Sequence, residues 1–401
     1  MERTDKAIEI LKVMVETPSP SFEEERVSCA VFSWIENYLR ERKIEEKTAL
    51  KKVNNNILLY APFNREKTLM MCAHLDTVAP SADYTYKPYT LTVEGNKLIG
   101  LGTNDDGASV VSMLMAFCQA VEKNESNVNL LLVLSTEEEK SGPNGMYSVI
   151  SYLKSPSEST HSQSPYQTSQ CKGITLEQQD MAYRGVQQKC GQAIPFPDFA
   201  IVGEPTSLKA AVAERGLIVL DGTALGKSCH AAQDCGTNAI YVALEDIEKI
   251  KNFKFDRKPS QVGEVHVAVT QINAGTAHNV VPDKCTFVVD IRPNELYDNQ
   301  EIVDMLQKEV KSTLKPRTLY HKVSATPKDH LLIKAVKELG IESYISPTTS
   351  DWTRLSIPAI KIGPGESTRS HKADEYILKE EIEKGIETYT GFIETINKLI
   401  G

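Results

Sequence analysis

Short apolar runs bounded by turn residues punctuate this chain, at residues 68–73, 128–134, 199–202 and 359–362. Runs of this length suit strands buried on both faces. Helical spacing alternates with them. Ala7, Ile8, Leu11, Met14 and Val15 repeat at helical intervals until Thr17-Pro18-Ser19-Pro20 stops the pattern. Ser21 with Glu24 reads as a capping box opening a second helix, with Val27, Val31, Ile35 and Tyr38 as its buried stripe. Strands are predicted near 56–60 and 68–74. Gly107 then opens a helix that turns Val110, Val111, Leu114, Phe117, Cys118 and Val121 to the core. The alternation predicts an α/β fold with a mostly parallel, doubly wound sheet.

The order changes after residue 210. A strand at 217–224, a helix at 237–250, strands at 265–272 and 285–291, a helix at 301–314 and a strand at 317–323 make a β-α-β-β-α-β unit. This predicts a smaller α+β domain at 208–325, inserted into a main domain formed by 1–207 and 326–401. A helix at 331–339, strands at 342–345 and 359–362 and a helix at 379–396 would complete the main domain. Residues 153–195 are rich in Ser and Gln and read as a polar surface insertion, with one short helix near 176–186.

Length and charge narrow the classes. At 401 residues the chain exceeds what one core usually serves. A net charge of −9 without any basic stripe argues against a nucleic-acid partner. No apolar run approaches the ~18–20 residues of a membrane span, and the charged N-terminus is not a signal peptide. A cytoplasmic enzyme is the expectation. The eight cysteines show no paired close spacing and read as small core residues in a reducing compartment. Cys229, beside His230, is the one to weigh as a reactive thiol.

Five polar clusters carry the chemistry: His74-Leu75-Asp76, Asn104-Asp105-Asp106-Gly107, Glu137-Glu138-Glu139, Gly203-Glu204-Pro205 and Ser370-His371. Several follow a strand-like run, where ligands bind in open α/β sheets. Singly, each has a plain reading: an aspartate capping a helix, or a glutamate run on a solvated loop. Jointly, they gather so much negative charge that cations are required to offset it. Asp76, two residues from His74 on a strand, points the same way and is suited to orient the imidazole. Imidazole and carboxylate donors suit Zn²⁺, with Co²⁺ or Mn²⁺ as substitutes. Two ions sharing one carboxylate, about 3.5–4 Å apart, would acidify a water and polarise a carbonyl, which points to amide hydrolysis. Among the three glutamates, one would bind metal and one would take a proton.

At these residues the chain resembles the co-catalytic zinc amidohydrolases that include acetylornithine deacetylase, succinyl-diaminopimelate desuccinylase, aminoacylase and bacterial carboxypeptidases. The matching stretches are His74-Leu75-Asp76-Thr77-Val78, residues 100–107, 135–139 and 202–206, Gly226-Lys227-Ser228-Cys229-His230, Asn279-Val280-Val281-Pro282, and Gly363-Pro364-Gly365 with His371. The resemblance implies two Zn²⁺, one held by His74 and Glu204, the other by Glu139 and His371, with Asp105 bridging. Glu138 would be the general base and Asp76 would orient His74. His230 would lie in a lid domain through which many members form homodimers and, in dimeric members, would reach the partner's active site to stabilise the oxyanion. Asn279, Arg292 and Thr349 would contact substrate, and Arg369 is a further candidate for a substrate carboxylate. Aligning Gly145 with the family's glycine selects Glu138 and Glu139 from the three glutamates. Asp106 runs directly into Gly107, where the family often has lysine. The stretch 363–371 looks most like the acetylornithine deacetylase branch, implying an N-acyl amino acid of arginine biosynthesis: N-acetylornithine, N-acetylcitrulline or an N-succinyl analogue. A dipeptidase or carboxypeptidase, or a catalytically inactive binding protein, is the alternative.

Overall fold

A computed structural model describes residues 2–154, 193–233, 235–257 and 262–401. The helix anticipated near 176–186, with most of the surface insertion, lies outside the described residues. The chain forms two compact units. The first comprises Met1–Ala211, Thr326–Ser343 and Leu355–Gly401; the second comprises Val212–Ala325 and Tyr344–Arg354.

The first unit begins with α1 (Glu2–Val15), α2 (Glu25–Glu41), β1 (Ala49–Val53), β2 (Asn56–Ala61) and β3 (Thr68–His74). The hairpin β4 (Thr92–Glu94) and β5 (Lys97–Ile99) precedes α3 (Ala108–Lys123), β6 (Asn129–Ser135), α4 (Met146–Lys154) and β7 (Phe199–Val202). Within β8 (Ala210–Glu214) the chain passes to the second unit, which holds β9 (Ile218–Leu225), β10 (Cys229–His230), α5 (Ala239–Asn252), β11 (His266–Ala274), β12 (Val280–Val281), β13 (Lys284–Arg292), α6 (Asn299–Glu309), β14 (Thr313–Pro316) and β15 (Ser324–Ala325). Back in the first unit come α7 (Leu331–Glu338), the start of β16 (Ser343–Ser346), β17 (Ala359–Lys361), β18 (Tyr376–Leu378) and α8 (Lys379–Ile400).

The mixed α/β class follows the sequence expectation. In the first unit the strands run in the order β1-β2-β6-β3-β7-β17. The four from β6 to β17 are parallel, whereas β1 and β2 are antiparallel at one edge. Strands β2, β3, β6 and β7 are buried at every position, which is why their sequences are continuous apolar runs. Helix α3, apolar around most of its circumference, packs against β3, β6 and α8. Register then aligns the strand ends: His74 pairs with Ser135, Cys72 with Val202, and Val202 with Lys361. The segments 136–139, 203–204 and 362–371 therefore leave the sheet at the same edge as His74.

In the second unit an antiparallel sheet, β11-β13-β9-β14, is covered by α5 and α6 around Ile218, Leu220, Phe287, Val289, Ile302 and Leu306. Local boundaries differ from the sequence reading. The helix expected to reach 314 ends at Glu309, because the buried Asp246 of α5 accepts the N–H groups of Lys311 (3.1 Å) and Ser312 (2.7 Å). The following strand accordingly lies at Thr313–Pro316 and not at 317–323. Tyr344–Arg354, expected in the main domain, belongs to the second unit, where Arg215 N–H donates to the Ser346 carbonyl (3.3 Å) and Ser350 Oγ to Glu214 (2.8 Å).

Two further expectations are corrected. Ser21 and Glu24 form no capping box: α2 starts at Glu25 without a side-chain cap, and Ser21 Oγ donates to Asp76 (2.8 Å). Cys229 is neither a core residue nor a free thiol, since it forms a disulfide with Cys235. Lys227 and Thr237 exchange backbone hydrogen bonds of 2.8 and 3.0 Å, and this closure brings the two cysteines together. Cys72, Cys118 and Cys285 are buried and form no disulfide, as expected.

Candidate metal centre

His74 ends β3 and is 3% exposed. Its Nδ1 lies 2.9 Å from the Asp76 carbonyl oxygen and 3.6 Å from the Asp76 carboxylate. The carbonyl is thus the nearer partner, and a proton on Nδ1 leaves Nε2 as the donor atom. Nε2 faces Asp105 Oδ1 at 3.2 Å. The other oxygen of Asp105, Oδ2, lies 3.6 Å from His371 Nε2, which is also 3.0 Å from Glu139 Oε1. Asp105 therefore presents one oxygen to each histidine. Among the described residues two groups converge closely enough to share an ion: His74 with Glu138 and Glu204, and His74 with Asp105 and Glu139, the candidate ligand atoms of each group lying within 4.8 Å of one another.

The Asp76 carboxylate has a second task beside the one its spacing suggested. Its two oxygens accept the N–H groups of Glu138 (3.0 Å) and Glu139 (3.1 Å). Asp76 thus seats the acidic loop and orients His74 mainly through its own carbonyl. Glu24, misread as a helix cap, is buried beneath the same loop and accepts Glu137 N–H at 3.0 Å. Glu137 turns away with φ of 57°, its carboxylate engaged by the backbone and side-chain nitrogens of Asn144 at 2.9 and 3.0 Å. Glu138 and Glu139 are left to face the histidines.

The electrostatics fit a cation. Burial, then the charges of Asp105 and Glu138, push the Glu204 carboxyl well above the usual range. Burial works to lower the His74 imidazole, but its bonds with Asp105 and Asp76 outweigh that and hold it well above its ordinary value. The bond with Glu139 raises His371 to about 9. Burial works to raise Asp105, yet His74 keeps it below the usual carboxylate range. In addition, burial pushes the neighbouring Asp106 carboxyl up to about 7. Protons here do what divalent ions do better, and the donor set of imidazoles and carboxylates suits Zn²⁺, Co²⁺ or Mn²⁺.

Other sequence candidates have partners of their own. Arg369 is engaged by Glu381 (2.7 Å) and Glu366 (3.0 Å) and stacks on Tyr376, so its guanidinium braces the loop before β18 and is not offered to a substrate. In the second unit, β10 pairs with β12, setting His230 opposite Val280, and Ala231 N–H donates to the Asn279 carbonyl. Arg292 is held by Asp290 at 2.8 and 3.1 Å. Thr349 lies in the Tyr344–Arg354 segment of that unit. Sequence reasoning missed Glu375. Buried near the start of β18, it accepts the N–H groups of Asn104 (2.8 Å) and Asp105 (2.9 Å), and burial together with the Asp105 charge pushes its carboxyl up to about 8. Only its place four residues after His371 marked it out.

The model of peptidase family M20/M25/M40 matches residues 70–395 of this chain. The chain belongs to that family. It is accordingly a metal-dependent amide hydrolase. A succinyl-diaminopimelate desuccinylase of Pelagibacter ubique is 25% identical over 363 residues, covering 84% of this chain and 85% of the relative. An acetylornithine deacetylase of Buchnera aphidicola is 24% identical over 332 residues, covering 77% and 75%. Among solved structures, the aminopeptidase PepT of Bacillus cereus superposes with a TM-score of 0.67 at 16% identity, over 98% of both chains. A dinuclear metal-binding peptidase of the family from Bacillus subtilis has a TM-score of 0.66 at 12% identity, over 99% of both. These structures share the fold, and the latter's two metals agree with the family's dinuclear chemistry.

Proposed function

We propose that this family member hydrolyses the amide bond of a small N-acyl amino acid, such as N-acetylornithine, N-acetylcitrulline or an N-succinyl analogue, using two Zn²⁺. The observation that carries the reading is Asp105 with one carboxylate oxygen toward His74 and the other toward His371. His74 and Glu204 would hold one ion and Glu139 and His371 the other, with Asp105 shared. Bound there, the ions would polarise the scissile carbonyl and acidify the attacking water.

The remaining steps fall to the protein. Glu138 takes the water's proton and delivers it to the leaving amine nitrogen. Asp76 holds Glu138 in place through its peptide N–H. His230 accepts Ala232 N–H on Nδ1 at 3.2 Å, which leaves Nε2 to carry the proton; in a dimer it is the proposed donor to the carbonyl oxygen in the partner's site as charge develops. Asn279, Thr349 and the part of Arg292 not taken up by Asp290 are the proposed substrate contacts. The deacetylase and desuccinylase names of the relatives support this substrate class. A peptidase is the second reading, favoured by neighbours described as an aminopeptidase and a tripeptidase.

The test is turnover of a panel containing acetyl- and succinyl-ornithine, N-acetylcitrulline, succinyl-diaminopimelate and several di- and tripeptides, before and after dialysis against a chelator. Hydrolysis of an acyl amino acid that disappears with the metal and returns with Zn²⁺ is the expected result. Preferential cleavage of peptides moves the assignment to the second reading, and activity that survives complete metal removal sinks both.

A further inference from the structure

Asp105 is the ligand on which the two halves of the cluster depend, yet its own segment offers its backbone little support. Residues 103–107 form one irregular turn, and Asp105 (φ −122°, ψ 97°) is not helical. Its buried N–H groups need acceptors from elsewhere, because a buried donor left unpaired costs ~1–3 kcal/mol. Glu375 supplies them. It is 2% exposed and stands outside both convergent groups, and its Oε1 accepts both Asn104 N–H and Asp105 N–H. Asn104 closes the arrangement from the other side: its Oδ1 accepts Glu366 N–H (2.9 Å) and its Nδ2 donates to the Glu366 carbonyl (3.1 Å). The turn bearing Asp105 is thus held between residues 366 and 375, the stretch that bears His371.

We propose that Glu375 is a positioning residue, which sets the Asp105 carboxylate between the two histidines by accepting both N–H groups of its turn. This rests on the metal reading of the same cluster and adds a named residue that touches neither ion nor substrate. Its action is geometric. Glu375→Gln keeps an acceptor oxygen at the same reach without the charge, whereas Glu375→Asp keeps the charge but withdraws it by one methylene.

The experiment is Co²⁺ titration of the metal-stripped full-length chain, followed by the d–d absorption bands, with circular dichroism as the check on folding. Wild type and E375Q are expected to bind two Co²⁺ with the same spectrum. E375D is expected to show shifted bands and an affinity about 10–100-fold weaker, the usual cost of losing an outer-sphere partner. An E375D titration indistinguishable from wild type overturns the proposal. So does an E375Q that loses cobalt as badly as E375D, since charge and not position would then be what matters. Should E375D fail to fold, amide hydrogen exchange over 102–106 in E375Q decides. Retained protection supports positioning, and loss of protection with an unchanged cobalt spectrum overturns it. A wild-type chain that binds no cobalt removes the metal reading itself, a result separable from any difference among the variants.

Discussion

Glu138 and its neighbours illustrate how three identical side chains take three roles through backbone geometry alone. Glu137 is turned onto Asn144, while the N–H groups of Glu138 and Glu139 are both held by Asp76. Glu138→Gln should keep its metal and lose at least ~10² in kcat, the usual worth of a general base; metal analysis beside steady-state kinetics checks this, and near-wild-type turnover removes Glu138 from the role. His371 gives a pH prediction. Its value of about 9 means that it holds a proton at neutral pH in the metal-free protein. A metal must displace that proton. Affinity should therefore rise with pH up to about 9 and level off above it as far as His371 is concerned, with proton release on binding at pH 7. Calorimetry in buffers of different ionisation enthalpy counts those protons, and a pH-independent affinity between 6 and 9 contradicts the assignment.

At the scale of elements, a single carboxylate ties three helices together. Glu122 of α3 accepts from Arg3 of α1 (2.7 Å) and from Arg42, the residue after α2 (2.7 and 3.1 Å). Burial works to raise Glu122, but the Arg42 and Arg3 pairings keep it below its ordinary value. A carboxyl depressed in the folded state stabilises fully above the unfolded value of ~4.3 and loses that contribution as pH falls through its own lower value. Glu122→Gln should cost roughly 1–2 kcal/mol near pH 7, allowing for partial exposure. The difference from wild type should shrink to nothing in strong acid. Urea unfolding at pH 7 and through progressively more acidic buffers measures both, and a deficit that stays equal throughout contradicts the ion-pair origin.

At the scale of the whole molecule, the second unit carries a prediction about assembly. Among the described residues of the second unit β11 is an edge strand whose residues from Gln271 to Ala274 are exposed, and Tyr241 and Leu244 of α5 are exposed too. An unpaired edge and apolar side chains of this kind favour pairing with a second copy, in keeping with the proposed homodimer through that unit. Ile272→Lys should then convert a dimer to a monomer in sedimentation without loss of metal. A wild-type chain that sediments as a monomer at micromolar concentration ends this proposal. Among the described residues no helix is long and apolar enough to cross a membrane.

What the residues alone determined was the alternation of buried strands with amphipathic helices, the inserted β-α-β-β-α-β unit, and the acidic and histidine clusters at strand ends. These are local signals: apolar periodicity and short motifs survive without knowledge of partners. Tertiary structure decided which carboxylates face one another. That Asp76 serves peptide N–H groups, that Glu24 supports a loop instead of capping a helix, and that Arg369 is spent on Glu366 and Glu381 are facts of pairing between segments up to 113 residues apart. Glu375 shows the reason most plainly. A buried carboxylate and a solvent-facing one are the same letter, and only the distant backbone donors it meets, 270 and 271 positions away, tell them apart.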